Sequence, residues 1–279
     1  MDPIPQTPPP RPGCARTWLT LAMLLASVAP ARAASPPAAP VAPAAPQPPP
    51  TAPGRAPILI ELFTSEGCSS CPSADTLLAQ LAAAGEVEDT PVIALELHVD
   101  YWNYLGWRDP FSDAAHSRRQ GQYVEWLRGR GPYTPQLVVA GRYDVLGSDA
   151  TKARAAILQA ADATAAAPRI TLQLSPDGTR LRAQVRDLPR QPVALYAAVT
   201  ESGLQTQVPR GENSGRTLRH GPIVRWLSAV GHSRGGDSAV DVALPIAPTW
   251  GRAALQVVLF AQDQVNGHIL GAAATRLTK

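Results

Sequence analysis

Ile58-Leu59-Ile60-Glu61-Leu62-Phe63-Thr64-Ser65-Glu66-Gly67-Cys68-Ser69-Ser70-Cys71-Pro72-Ser73-Ala74-Asp75-Thr76-Leu77-Leu78-Ala79-Gln80-Leu81-Ala82-Ala83-Ala84-Gly85 decides the fold. Residues 58–63 form a short apolar run suited to a buried strand. Ala74, Leu77, Leu78 and Leu81 then follow the i, i+3, i+4, i+7 spacing of a helix over about 72–84, which Gly85 can close. Pro72 fits the first helical turn, where the backbone N–H has no partner in any case. A second apolar run over 91–97 predicts another buried strand. The segment 58–97 therefore reads strand–helix–strand, and a parallel pair joined by a crossover helix is its simplest arrangement.

Cys68 and Cys71 fall where the first strand hands over to the helix. A thiolate at that joint faces unpaired backbone N–H groups and the positive end of the helix dipole. Both favour the anion, so Cys68 is expected to be a reactive nucleophile. Cys71, one turn further in, is placed to attack a mixed disulfide formed at Cys68. Spacing alone also fits half of a metal site or a structural disulfide. Glu61 stands inside an apolar strand seven residues before Cys68. Buried there, it would have a raised pKa and could take a proton during exchange; at a strand end it would simply reach solvent. Thr134-Pro135 comes immediately before the strand 136–139, where a thioredoxin fold places a cis peptide that pairs with an extended substrate. An ordinary trans proline at a strand start reads the same way.

Upstream, Arg11 and Arg16 precede the apolar run Trp18 to Ala29, and Ala31-Arg32-Ala33 offers small residues at a cleavage site. Residues 1–33 are thus expected to be a secretory signal, with no stable membrane span left after cleavage and a periplasmic or secreted destination. Residues 34–56 form an Ala/Pro-rich linker with little charge, too poor in bulky apolar groups to build a core. Cleavage would remove Cys14, leaving Cys68 and Cys71 as one possible intramolecular pair. It would also remove Arg11, Arg16, Arg32 and Asp2 from the 25 basic and 22 acidic residues, leaving a net charge of +1. A nearly neutral surface without Lys/Arg runs argues against nucleic acid as a partner.

Downstream, Ser112 is a fitting N-cap for a helix to about Leu127. Residues 136–139 and 143–146 flank Ala140-Gly141-Arg142 as a hairpin. Ser148 or Asp149 caps an alanine-rich helix ending before Pro168. After Pro168 the pattern becomes alternating, with strands expected near 170–174, 181–185, 193–200, 238–244, 254–262 and 269–277. Asn266-Gly267 signals a tight hairpin between the last two.

Three further blocks carry a resemblance. His98 to Phe111 (HVDYWNYLGWRDPF), Gly131-Pro132-Tyr133-Thr134-Pro135-Gln136 and Gly147-Ser148-Asp149, together with the segment 60–75, resemble the successive blocks of domain-of-unknown-function family 1223 over roughly residues 57–277. Gly211 to His220 is similar to that family's C-terminal portion, and is expected to organise an interface between two units. The family's members are exported bacterial thioredoxin-like proteins. The resemblance therefore implies an α/β fold: a thioredoxin-like domain over 57–167, with a central mixed sheet flanked by helices, and a C-terminal antiparallel, sandwich-like β unit over 168–279. It delivers no substrate.

The functional expectation is a thiol–disulfide oxidoreductase-like protein that needs no cofactor beyond its own dithiol. Its partners would be a protein or small-molecule thiol or disulfide and an unidentified recycling protein. Cys68, Cys71 and Glu61 would carry the chemistry, and Thr134 and Pro135 would present the substrate backbone. Trp102 and Trp107, in the aromatic-rich segment 98–111, would either form a docking wall or serve as the core of an insertion. His98 and Asp100 beside two thiolates suggest copper or zinc, but their spacing matches no settled metal pattern, so a hydrogen-bonding role is expected and no metal ligand is assigned. A metallochaperone-like module, or a binding protein whose disulfide only clamps a turn, are the other readings.

Overall fold

The computed structural model describes residues 55–164 and 166–277. The expected signal 1–33 and all but the last two residues of the linker 34–56 lie outside the described residues. No helix among the described residues is long and apolar enough to cross a membrane.

The decisive stretch folds as its pattern dictates. Strand β1 (Ile58–Thr64) is buried on both faces, as an unbroken apolar run requires. Helix α1 (Pro72–Ala84) begins with its proline in the first turn and ends on Gly85, whose φ of 74° lets its N–H return to the Leu81 carbonyl. A short β2 (Glu86–Val87) leads into β3 (Thr90–His98), which pairs parallel to β1 with Ile60 opposite Ala94 and Thr64 opposite His98. Helix α2 (Ala114–Trp126) starts one residue later than expected. Asp113 rather than Ser112 is the N-cap, because its carboxylate accepts from the Ala115 N–H. Strands β4 (Gln136–Val139) and β5 (Tyr143–Leu146) form the expected hairpin, with β4 antiparallel to β1. Asp149 caps α3 (Ala150–Ala163).

The C-terminal segment holds β6 (Arg169–Leu174), β7 (Arg180–Leu188), β8 (Val193–Glu201), β9 (Gln205–Gln207), β10 (Thr217–Arg219), β11 (Ile223–Ser233), β12 (Gly236–Ala243), β13 (Leu255–Asp263) and β14 (Ile269–Arg276). These strands form two layers that pack on each other, but one of the layers continues the first sheet. β14, β13, β8 and β11 continue the first sheet, whose order is β14-β13-β8-β11-β3-β1-β4-β5 with β2 also paired to β3, nine strands in all. β12, β7 and β6 make a three-stranded sheet, and β9 and β10 a small ribbon.

Strand alternation explains the layers. Ile58, Ile60 and Leu62 point to one face, where they pack on Ala74 and Leu78 of α1 and Ile157 of α3. Farther along the chain, Leu195, Ala197 and Val199 of β8 pack with Leu181 and Val185 of the small sheet. Leu59 and Phe63 point the opposite way, against Tyr123 of α2. The seam between the two parts of the large sheet is narrow. β3 and β11 run parallel through one residue pair, Glu96 with Ile223, and the Glu96 N–H donates to the Pro222 carbonyl at 3.0 Å. Glu96 and His98 alternate with Leu95 and Leu97, so they share the face of Ala94.

Candidate functional site

Cys68 and Cys71 are joined in a disulfide, with Cα atoms 5.5 Å apart. The bond closes a tight turn in which Cys68 N–H reaches the Ser65 carbonyl and Cys71 N–H the Cys68 carbonyl, at 3.1 and 3.2 Å. Cys71 is the N-cap residue of α1, and no side chain caps that helix end. The sulfur pair is covered: Cys68 is 2% exposed and Cys71 0%, while Ser69 and Ser70 between them face solvent. Asn213 Nδ2 donates to the carbonyls of Glu66 and Cys68, both at 2.9 Å. Glu212 accepts from the Ser69 N–H at 3.0 Å. The 211–220 block thus seats the disulfide loop directly.

The aromatic segment lies against the same loop. A Cβ on Gly67 would fall 3.1 Å from Trp102 Cβ, so glycine is what lets the two approach. Trp102 donates its indole N–H to Thr134 Oγ1 at 2.7 Å. The Thr134–Pro135 peptide bond is cis. Gly147 packs between Pro135 and Ala74, where a Cβ would meet theirs at 3.2 and 3.1 Å, so Pro135 lies beside the first turn of α1. Trp107 donates to Glu66 Oε2 at 2.7 Å. Both tryptophans are half-buried. Cys68, Cys71, Trp102, Trp107, Thr134 and Pro135 therefore belong to one neighbourhood.

Glu61 does not, and the expectation for it is revised. It shares the face of Leu59 and Phe63, opposite α1. Arg119 of α2 grips it with Nε on Oε1 at 2.6 Å and Nη2 on Oε2 at 2.9 Å, and the Tyr123 hydroxyl also donates to Oε2. With both oxygens turned to Arg119 and Tyr123, Glu61 ties α2 to β1 and lies away from the cysteines. Burial opposes the Arg119 charge, but Glu61 and the neighbouring rings hold it firmly ionised.

The carboxylates that do lie near the disulfide loop were not legible as a set. Glu66, Glu96, Asp109 and two histidines form a continuous buried chain. Asp109 Oδ2 meets His98 Nδ1 at 2.7 Å, and His98 Nε2 meets Glu96 Oε1 at 3.0 Å. The same Glu96 oxygen meets His220 Nδ1 at 3.1 Å, and His220 Nε2 meets Glu66 Oε1 at 3.1 Å. Glu96 Oε2 accepts from the Gly221 N–H. Burial opposes charge on His98, but Asp109 and Glu96 outweigh it and raise its pKa well above the usual imidazole value. His220 is raised to about 9 against the same penalty, by hydrogen bonds to Glu66 and Glu96. The imidazoles in turn hold Glu96 and Asp109 below the ordinary carboxyl range despite their burial. His98 thus has the expected hydrogen-bonding role, although its partners were unforeseen. Asp100 accepts from the Ser117 hydroxyl at 2.5 Å and stays outside the chain. With the sulfurs bonded to each other and His98 turned to carboxylates, a cysteine-plus-His98 metal set is not assembled.

Asp75 completes the site. It lies one turn from Cys71 on α1, buried, and accepts from the Thr64 hydroxyl at 2.6 Å. Burial, reinforced by the Glu96 charge, pushes its carboxyl up to about 7. The signal for it was the one acid among Ala74, Leu78 and Leu81 on the buried helix face.

The model of the protein family described as "Protein of unknown function (DUF1223)" matches residues 59–262. The chain belongs to this family. No curated protein sequence matches it. A crystal structure of an Agrobacterium tumefaciens protein, a structural-genomics target, is 25% identical, covers 80% of this DUF1223 chain and 95% of its own, and superposes with a TM-score of 0.63. That likeness extends across both parts of the large sheet, since it takes in four-fifths of the chain. A domain of the outer membrane lipoprotein Omp28 from Porphyromonas gingivalis is 11% identical and covers 40% of this chain and 89% of its own with a TM-score of 0.25.

Proposed function

We propose that this DUF1223 protein is an exported, thioredoxin-like thiol–disulfide oxidoreductase whose working group is Cys68–Cys71. One observation carries the reading. The disulfide closes the joint between a buried strand and a helix whose start has no side-chain cap, and a buried carboxyl, Asp75, sits one turn along that helix. A Cys68 thiolate can take the place of the missing cap. The sheet order around β1, with β3 parallel on one side and β4 antiparallel on the other, supports the thioredoxin-like description. Export rests on the signal-like sequence of residues 1–33.

In the exchange, a substrate thiolate attacks Cys68 Sγ and the Cys68–Cys71 bond breaks. Cys71 leaves with the electron pair and takes a proton, for which Asp75 is the positioned acid. The substrate's second thiol then attacks its own sulfur in the mixed disulfide and releases Cys68. The substrate dithiol is oxidised by two electrons and the cysteine pair is reduced by two; one substrate proton restores Asp75 after its transfer to Cys71, and the other leaves to solvent while Cys68 stays the thiolate. A disulfide substrate runs the same steps in reverse. Because the sulfurs are covered, attack requires the exposed Ser69-Ser70 segment to shift.

That cover favours a second reading, a structural disulfide that clamps the loop against the carboxylate–imidazole chain. Equilibrating the folded protein in thiol buffers of graded potential separates the two. The exchange reading expects a midpoint above about −300 mV and a mixed disulfide trapped on Cys68 in Cys71→Ser. A midpoint far below that value, with no adduct in Cys71→Ser, leaves the clamp.

A further inference from the structure

We propose that Glu96, His98 and His220 form a mononuclear site for a divalent transition metal, zinc in the first instance, that uses neither cysteine. The ligand-bearing atoms already converge. Glu96 Oε1 lies 3.0 Å from His98 Nε2 and 3.1 Å from His220 Nδ1, and all three atoms lie within 4.8 Å of one another. Ligands about 2.0 Å from a tetrahedral ion stand roughly 3.3 Å apart, so an ion fits among these atoms with small side-chain adjustments.

The outer partners are those a metal site requires. A ligating imidazole offers one nitrogen and has the other held by a carboxylate, which fixes ring and tautomer. Asp109 holds His98 Nδ1 and leaves Nε2 for the ion; Glu66 holds His220 Nε2 and leaves Nδ1. These partners are themselves fixed. Asp109 accepts from the Glu66 and Phe111 N–H groups at 2.8 and 2.9 Å, and Glu66 from the Trp107 indole. The Gly221 N–H ties down Glu96 Oε2 and leaves Oε1 facing the imidazoles.

Charge points the same way. Glu66, Glu96 and Asp109 are three buried carboxyl groups, and no lysine or arginine pairs with any of them among the described residues. Among the described residues two imidazoles are the side chains paired with these groups, and a bound dication would take over the charge they offset when protonated, since a ligating imidazole is neutral. Two histidines and one carboxylate with a fourth position open is a donor set suited to zinc. The edge of Phe111 touches both imidazole rings, with centroids 5.5 and 5.4 Å away. That ring also lines a cleft of about 530 Å³ bordered by Arg225, Trp226 and Trp250.

The proposal goes beyond the redox reading and is tested with the disulfide intact, so that neither sulfur can bind. Oxidised protein stripped with a chelator is titrated with Zn(II) and followed by calorimetry and native mass spectrometry; Co(II) reports geometry through its visible absorption. The expected result is one ion per chain, affinity at least 100-fold weaker in Glu96→Gln and His220→Gln, and 10- to 100-fold weaker in Asp109→Asn. X-ray absorption of the zinc-loaded wild type keeps the test independent of how the variants fold. It should show a nitrogen and oxygen shell with imidazole scattering. Substoichiometric binding by the oxidised protein, unchanged affinity in folded Glu96→Gln, or sulfur at about 2.3 Å overturns the proposal.

Discussion

Asn213 binds the carbonyl oxygens of Glu66 and Cys68 through a single side-chain nitrogen, at 2.9 Å each, across 147 and 145 residues of chain. Its own carbonyl accepts from Arg216 at 2.8 Å. Asn213→Ala would leave the buried Glu66 carbonyl without a donor and the Cys68 carbonyl with the Cys71 N–H alone, at a cost of about 1–3 kcal/mol. The expected outcome is a lower denaturant midpoint together with faster reduction of Cys68–Cys71 by dithiothreitol. Loss of stability with an unchanged reduction rate would show that Asn213 does not seat the loop.

Removing either partner of the Glu61–Arg119 pair leaves a buried charge uncompensated. Glu61→Ala and Arg119→Ala are each expected to lose about 3–5 kcal/mol of stability. The pair lies on the sheet face opposite α1, so the midpoint potential of the disulfide should stay within measurement error in any folded Glu61 variant. A potential shifted in Glu61→Gln would return that residue to the redox site.

Asp75 sets a pH dependence with a definite sign. Its ordinary carboxyl value is 3.8, and in the fold it is pushed up to about 7 by burial, with Glu96 adding to the effect and Thr64, His98 and His220 working against it. Between these values the folded chain binds the proton and the unfolded chain releases it, so this group's contribution makes stability fall as pH rises from about 4 to 7. Above the folded value the loss is complete and constant. Urea melts of oxidised, chelator-treated protein across that range should show a shallower decline in Asp75→Asn than in wild type. Parallel profiles would remove Asp75 as the titrating group.

Gly141 sits in the β4–β5 turn at φ 63°, and a Cβ there would meet the Gly267 carbonyl oxygen at 2.0 Å. That obstacle is backbone from the β13–β14 turn and cannot swing aside. Gly141→Ala is expected to destabilise the protein by about 2–4 kcal/mol, through both left-handed strain and overpacking. A calorimetric melt within a degree of wild type would contradict this.

Local pattern made much of the first half legible. The apolar run 58–63, the helical spacing of Ala74, Leu78 and Leu81, and the turn around Gly141 each depend on neighbours a few residues away. β11 escaped because its pairing with β8 shifts register between Val224 and Trp226 and again between Ala229 and Gly231, which breaks the two-residue alternation that marks a strand. β8, β13 and β14 were legible as strands, but not their destination, because joining the first sheet depends on an edge formed far earlier in the chain. The carboxylate–imidazole chain escaped for the same reason: Glu66 and His220 are 154 residues apart. Glu96 left a trace, a charged residue inside the apolar run 91–97, of the same kind that drew attention to Glu61.

The seam at Glu96 and Ile223 also bears on how the chain can be divided. A fragment ending near Ala167 would lack β11, and the Glu96 N–H on the flank of β3 would lose its Pro222 partner. Glu96 and His98 would meet water at that margin, with His220 and Asn213 gone from the same molecule. Such a piece is expected to lose stability, and neither half is a sensible minimal module for expression.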